Sequence, residues 1–367
     1  MNNWKASVNA LVATSLVTLS VSAFAKESLH VYNWSDYIAE DTIERFQKAT
    51  GINVVYDVYD SNEVLEAKLL AGKSGYDLIF PTARPFADRH IKANLYQPLD
   101  KTALPLLGNV DATIVSSLDD IDPGNQYLVP YMWGTTGIGI NVTKVREVLG
   151  ADAKLDTWGM VFDPANAEKL SRCGISLMDD PSEVLKAAQA YAGLDVKDNS
   201  KDGLNKAADV VNGVRQHIRY FHSSQYINDL ANGDLCVAHG YSGDVLQARD
   251  RAAEANNGVE IAYLVPQEGA VVWTDVMAIP ADAPNPKAAH AFINFLLQPE
   301  VIAPISNYVA YANANAAATQ LVDEEIRNDP GIYPSEETRK GFVTINTPSA
   351  KETRMMSRIW TRVKTGQ

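Results

Sequence analysis

Three places in the sequence set an aromatic ring beside a carboxylate: Trp34-Ser35-Asp36-Tyr37, Tyr241-Ser242-Gly243-Asp244 and Trp273-Thr274-Asp275. Together they could hold a cation on an apolar stem. The aromatic faces attract an ammonium and cover its methylenes, and the carboxylate takes the charge. Each place also has a plainer use. Asp36 could cap a turn, Trp34 could be a core residue, and Asp244 could sit in a helix's first turn, where a carboxylate gains ~0.3–1 kcal/mol. Those uses do not explain the repetition. A competing chemistry is serine hydrolysis, because Gly240-Tyr241-Ser242-Gly243-Asp244 approaches the Gly-x-Ser-x-Gly nucleophile turn with His239 beside it. Asp244 stands where the last glycine belongs and would crowd that turn. No Cys or His pair has metal-ligand spacing, so neither a metal nor another cofactor is expected.

From Leu29 onward, short apolar runs alternate with amphipathic helices, the pattern of an α/β chain with parallel strands. A strand is predicted over 29–33. A helix opens on Asp41-Thr42-Ile43-Glu44, carries Ile43, Phe46 and Ala49 on one face, and stops at Thr50-Gly51. A strand over 52–56, a helix over 63–71 ended by Gly72, and a strand over 76–80 closed by Pro81 follow. Trp34 to Tyr37 would then lie beyond the carboxyl end of the first strand, where ligands of open α/β sheets bind. The Gly-rich, aromatic stretch 130–139 is suited to crossing between domains. Helices are expected over 181–193 and 203–214, a strand over 235–239 leading into a helix near Gly243, strands over 259–265 and 271–279, and a helix over 286–297. The architecture predicted is two-lobed α/β, with 26–133 plus about 259–305 in one lobe and about 134–258 plus about 306–367 in the other.

The first 25 residues carry Lys5, an apolar run from Ala6 to Val21 and a closing Ala23-Phe24-Ala25, the pattern of a cleavable secretory signal. A single membrane anchor is the alternative, but the run is diluted by Ser and Thr and no basic cluster follows. The chain beyond it is long enough for two domains. Its 32 Lys+Arg against 45 Asp+Glu give a net charge of −13, which argues against nucleic acid and permits a cationic ligand, although solubility alone would account for most of it. Cys173 and Cys236 are the chain's 2 cysteines; in an oxidising compartment they are expected to pair, buried free thiols being the alternative.

The chain resembles the periplasmic putrescine- and spermidine-binding proteins of polyamine ABC transporters. The resemblance is carried by the runs His30-Val31-Tyr32-Asn33-Trp34-Ser35-Asp36-Tyr37-Ile38, Val54-Val55-Tyr56-Asp57-Val58-Tyr59-Asp60-Ser61-Asn62-Glu63, Pro130-Tyr131-Met132-Trp133-Gly134, Tyr220-Phe221-His222-Ser223-Ser224-Gln225-Tyr226 and Tyr311-Ala312-Asn313-Ala314. It implies a type II binding-protein fold with a hinge, closing on a polyamine and handing it to a membrane permease, with no catalysis, as a monomer in the periplasm. It further implies an aromatic box of Trp34, Tyr37, Tyr241, Trp273 and Tyr311, with Ser35, Asp36, Thr82, Glu183, Ser223, Asp244 and Asp275 contacting the amines. Asp179 and Asp180 compete with Glu183 for its place. Cys173 and Cys236 fall where similar proteins carry a disulfide. One departure follows Pro81, where Thr82-Ala83-Arg84-Pro85-Phe86 has an extra residue and brings Arg84 near the expected site. Trp273 and a surplus of acids lean toward spermidine over putrescine, with a related amine such as cadaverine or agmatine as the alternative.

Overall fold

The computed structural model describes residues 27–366; the secretory signal expected over 1–25 lies outside the described residues. The expected alternation of strands and helices is present. β1 (Ser28–Trp34) pairs in parallel with β2 (Asn53–Tyr59) and with β3 (Leu78–Ile79), giving a three-stranded sheet with β1 in the middle. The helix Thr42–Thr50 between β1 and β2 buries Phe46 and ends at Gly51, whose φ of 76° is a left-handed cap that glycine adopts without a Cβ penalty. Asp41 precedes that helix but makes no side-chain cap, so the capping-box-like start is not realised.

β4 (Val129–Asn141) is the long strand of the second sheet. β5 (Ile175–Leu177), β6 (Tyr220–Phe221), β7 (Val237–Tyr241), β8 (Ile261–Leu264), β9 (Ala270–Met277), β10 (Ala312–Asn313) and β11 (Phe342–Val343) complete it. The main order is β11-β9-β4-β7-β5-β6, with β8 and β10 also pairing to β4. β4 runs antiparallel to β9 over Val129–Thr136, and to β7 and β8 over its later residues. It thereby joins two hydrophobic cores. Tyr131 and Met132 lie in one core with Leu29, Phe46 and Phe292; Ile138 and Ile140 lie in the other with Trp158, Leu185 and Leu204. The stretch expected to cross between lobes lies in one continuous strand that packs into both cores.

Two parts of the expected lobe division differ. Ile261 packs in the second core, because β8 pairs with the far half of β4, and the chain rejoins the first core only at β9. The segment after 305 was expected in the second lobe. Instead Val309, Tyr311, Ala314, Val322 and Ile345 join the first core, since β10 lies against Trp133 and Met132. Only the final helix, Ala350–Thr365, returns to the second core, through Met356, Ile359, Trp360 and Val363. Cys173 and Cys236 are joined by a disulfide with their Cα atoms 5.4 Å apart.

Candidate functional site

Residues from all three aromatic–acid stretches converge on one cavity of about 440 Å³, open mouth included. Trp34, Ser35 and Tyr37 reach it from the end of β1, Thr82 from beyond β3, and Ser223 from beyond β6. Tyr241 and Asp244 come from the β7-to-helix turn, Trp273 and Asp275 from β9, and Tyr311 from just before β10. The ends of β1 and β7, the loops after β3 and β6, and the middle of β9 thus bring these distant residues together.

The two acids of the cavity, Asp275 buried and Asp244 half-buried, are held alike. Asp275 accepts from the Tyr37 hydroxyl at 2.9 Å and the Thr82 hydroxyl at 2.7 Å, one on each oxygen. Thr82 is fixed in turn by a reciprocal pair with Asn62, at 2.9 and 3.1 Å, and by a backbone bridge to Asp275. Asp244 accepts from the Tyr226 and Tyr311 hydroxyls, each at 2.7 Å. Its place in the first turn of the helix Ser242–Ala255 is therefore not a bare cap. A Cβ on Gly243 would collide with the Tyr311 ring, so glycine is what admits that ring to Asp244. Desolvation raises Asp275 to about 7 and Asp244 to about 6, although the hydroxyl donors oppose the shift in both.

Aromatic rings wall the rest. Tyr241 meets Trp273 edge-on at 5.4 Å between centroids, Trp273 meets Tyr311 at 5.4 Å, and Tyr37 meets Tyr311 at 5.2 Å. Trp34 stands 6.2 Å from Tyr241 across the mouth, its indole N–H bound to the Phe80 carbonyl at 2.8 Å. Trp273 lies over β4 because residue 134 is glycine; a Cβ there would come within 2.9 Å of its ring.

Asp36 and Glu183, expected at the ligand, do not line this cavity. Asp36 has a left-handed φ of 54°, and its carboxylate turns outward to meet Arg251 at 2.8 Å. Glu183 lines a separate chamber with Thr136 and His239. Arg84 also stays out of the cavity: its guanidinium binds the Ser117 carbonyl at 3.1 Å and pairs with Asp120. The sequence reasoning missed Tyr59, Asp60, Ser224 and Ile227, which complete the lining. Tyr59-Asp60 at the end of β2 repeats the aromatic–acid signal and could have been found by it; nothing in the sequence marks Ile227. Ser242 is buried, and its hydroxyl lies 3.4 Å from the Thr135 N–H. His239 makes no hydrogen bond to it and is held near 3 by burial, so the hydrolase alternative lacks its serine–histidine pair. No described helix is long and apolar enough to cross a membrane.

A family model for bacterial extracellular solute-binding proteins matches residues 41–334. The chain belongs to that family. Among curated solute-binding proteins, a putrescine-binding periplasmic protein of Pseudomonas aeruginosa is 51% identical over 98% of this chain and 97% of its own length. A putrescine-binding periplasmic protein of Escherichia coli is 50% identical over 98% of both chains. Among solved structures, a putative spermidine/putrescine ABC transporter protein from Listeria monocytogenes superposes with a TM-score of 0.82 at 30% identity, covering 93% of this chain and all of that one. The two-lobed type II fold expected from the motifs is the fold of this family.

Proposed function

We propose that this solute-binding protein captures a linear polyamine in the periplasm and delivers it to the membrane permease of an ABC importer, performing no chemistry on it. The observation that carries the proposal is the pair Asp244 and Asp275. Each is a desolvated carboxylate held by two hydroxyl donors, in an aromatic-walled cavity with no lysine or arginine in its lining. Two such acids call for two positive charges, because a buried carboxylate is stable as an ion only when paired. A diamine of putrescine's kind supplies one ammonium to each while the rings cover its methylenes. The names of the relatives above support the same ligand class, the importer and the periplasm.

Ten of the expected ligand contacts fit this proposal: Trp34, Ser35, Tyr37, Thr82, Ser223, Tyr241, Asp244, Trp273, Asp275 and Tyr311. The lean toward spermidine loses Asp36 and Glu183 as acids, but Asp60 at the cavity wall gives a third amine a partner. Spermidine is therefore the second reading. A lobe division that follows the two cores places 27–136, 270–345 on one side and 137–269, 346–366 on the other, with the leader over 1–25 removed on export and the protein acting as a monomer. Competition calorimetry on ligand-stripped protein with putrescine, cadaverine, spermidine and agmatine tests the ligand. Micromolar or tighter binding of a linear polyamine is expected; absence of heat and of thermal shift with both putrescine and spermidine would refute the proposal.

A further inference from the structure

The turn that carries Ser223 and Ser224 to the cavity is built around the imidazole of His222. Its Nδ1 accepts from the Ser224 N–H at 3.1 Å and from the Gln225 N–H at 3.0 Å. These donors open the helix Gln225–Ala231, where backbone N–H groups have no partner within the helix. Ser224, the residue before that helix, makes no side-chain cap, so the imidazole takes the capping place. The same helix carries Tyr226, whose hydroxyl holds Asp244.

A ring nitrogen that accepts from N–H groups carries no proton of its own, so the proton of the imidazole sits on Nε2. Nε2 lies 4.0 Å from the carboxylate of Asp60. His222 follows β6 of the second sheet and Asp60 follows β2 of the first, so the contact joins the two sides of the cleft. Asp60 lines the cavity and has no other ion-pair partner among the described residues. With Asp244 and Asp275 each taking one ammonium, Asp60 is the acid left over.

We infer that His222 is a positioning residue that sets specificity: its Nδ1 holds the turn of Ser223 and Ser224 at the cavity, and its Nε2–H engages Asp60 across the closed cleft. A third ammonium must then compete for Asp60 with an imidazole already in place, and a diamine need not. The inference rests on the polyamine proposal and names which members of that class the site favours. The two side chains are 40% and 43% exposed, and pairs of this exposure contribute a few-fold at most. An effect of that size is read as a ratio of two affinities, because everything common to both amines cancels.

The test compares putrescine and spermidine by competition calorimetry on the full mature protein. His222→Asn keeps an acceptor in the Nδ1 position and loses the reach to Asp60; His222→Gln keeps a donor in the Nε2 position and loses the Nδ1 acceptor. His222→Asn is expected to shift the affinity ratio toward spermidine by about threefold, and His222→Gln to weaken both amines alike and leave the ratio within about twofold. On an Asp60→Asn background, His222→Asn should leave the ratio where it was. In the ligand-free protein at about pH 8, long-range proton–nitrogen spectra of the imidazole, assigned by the loss of its signals in His222→Asn, should show Nδ1 bare and Nε2 protonated. A ratio that shifts equally in both variants, a shift that survives Asp60→Asn, or a proton on Nδ1 would each overturn the inference and leave the functional proposal standing. A wild-type protein that binds neither amine would overturn both.

Discussion

Lowering the pH should weaken ligand binding by way of Asp275 and Asp244. Both carboxyls are raised, to about 7 and about 6, and a cationic ligand pairs only with their ionised forms. At pH 8 about nine-tenths or more of each is ionised, whereas at pH 6 about a tenth of Asp275 and about half of Asp244 are. The product of these fractions falls about twenty-fold, equivalent to about 1.8 kcal/mol of binding free energy. The two ammoniums of a diamine such as putrescine keep their charge through this range, much as lysine does. Calorimetry at pH 6 in buffers of different ionisation enthalpy should therefore show roughly 1.4 protons released per ligand bound, and about 0.1 at pH 8. The ligand-free protein should respond in the opposite sense. A carboxyl raised by folding contributes its stability fully below its unfolded value near 4, and loses it as pH rises through the folded value of about 6 to 7. Affinity that is level between pH 6 and 8, or binding without proton release at pH 6, would show that these acids are already ionised in the open cavity.

Asp275→Asn and Asp244→Asn should each cost ~2–5 kcal/mol of binding, as for other desolvated ion pairs, and the residual affinity should depend less on salt; titration at two ionic strengths checks both. Arg251→Ala removes the ion pair with Asp36; with both side chains partly exposed the loss of stability should stay under about 1 kcal/mol, read by urea unfolding. Intact mass after alkylation should find no free thiol at Cys173 or Cys236, and reduction should lower stability by up to about 4 kcal/mol in urea unfolding, given a sequence separation of 63.

The local elements were legible because their signals are local. Thr50-Gly51 ends the first helix and the apolar run at 29–33 makes β1, since helix periodicity and glycine stops act within a few residues. The convergence of Asp244 and Asp275 was legible through repetition, an aromatic–acid pair recurring on separate elements, although Trp273 and Asp275 lie inside β9 and not at its end. Asp36 broke that pattern because its direction depends on one left-handed φ and on Arg251, 215 positions away. Glu183 broke it because the first turn of the helix Pro181–Tyr191 delivers it to the chamber with Thr136 and His239, a packing outcome that no local pattern records. Which core the segment after 305 joins was illegible for a similar reason: β10 is two residues long, and its partner on β4 decides the core.

The threading of β4 through both cores has a consequence for the order in which the chain can fold during synthesis. The second core draws most of its residues from one stretch between Ile138 and Ile261, so it can condense soon after that stretch emerges. The first core begins earlier and finishes much later: Tyr131 and Met132 stay without β9 and β10 until residues beyond 270 and 312 have been made. Contacts so far apart along the chain form slowly. A chain that folds as it emerges would therefore close the core around Ile138 and Trp158 before the core around Tyr131 and Phe292.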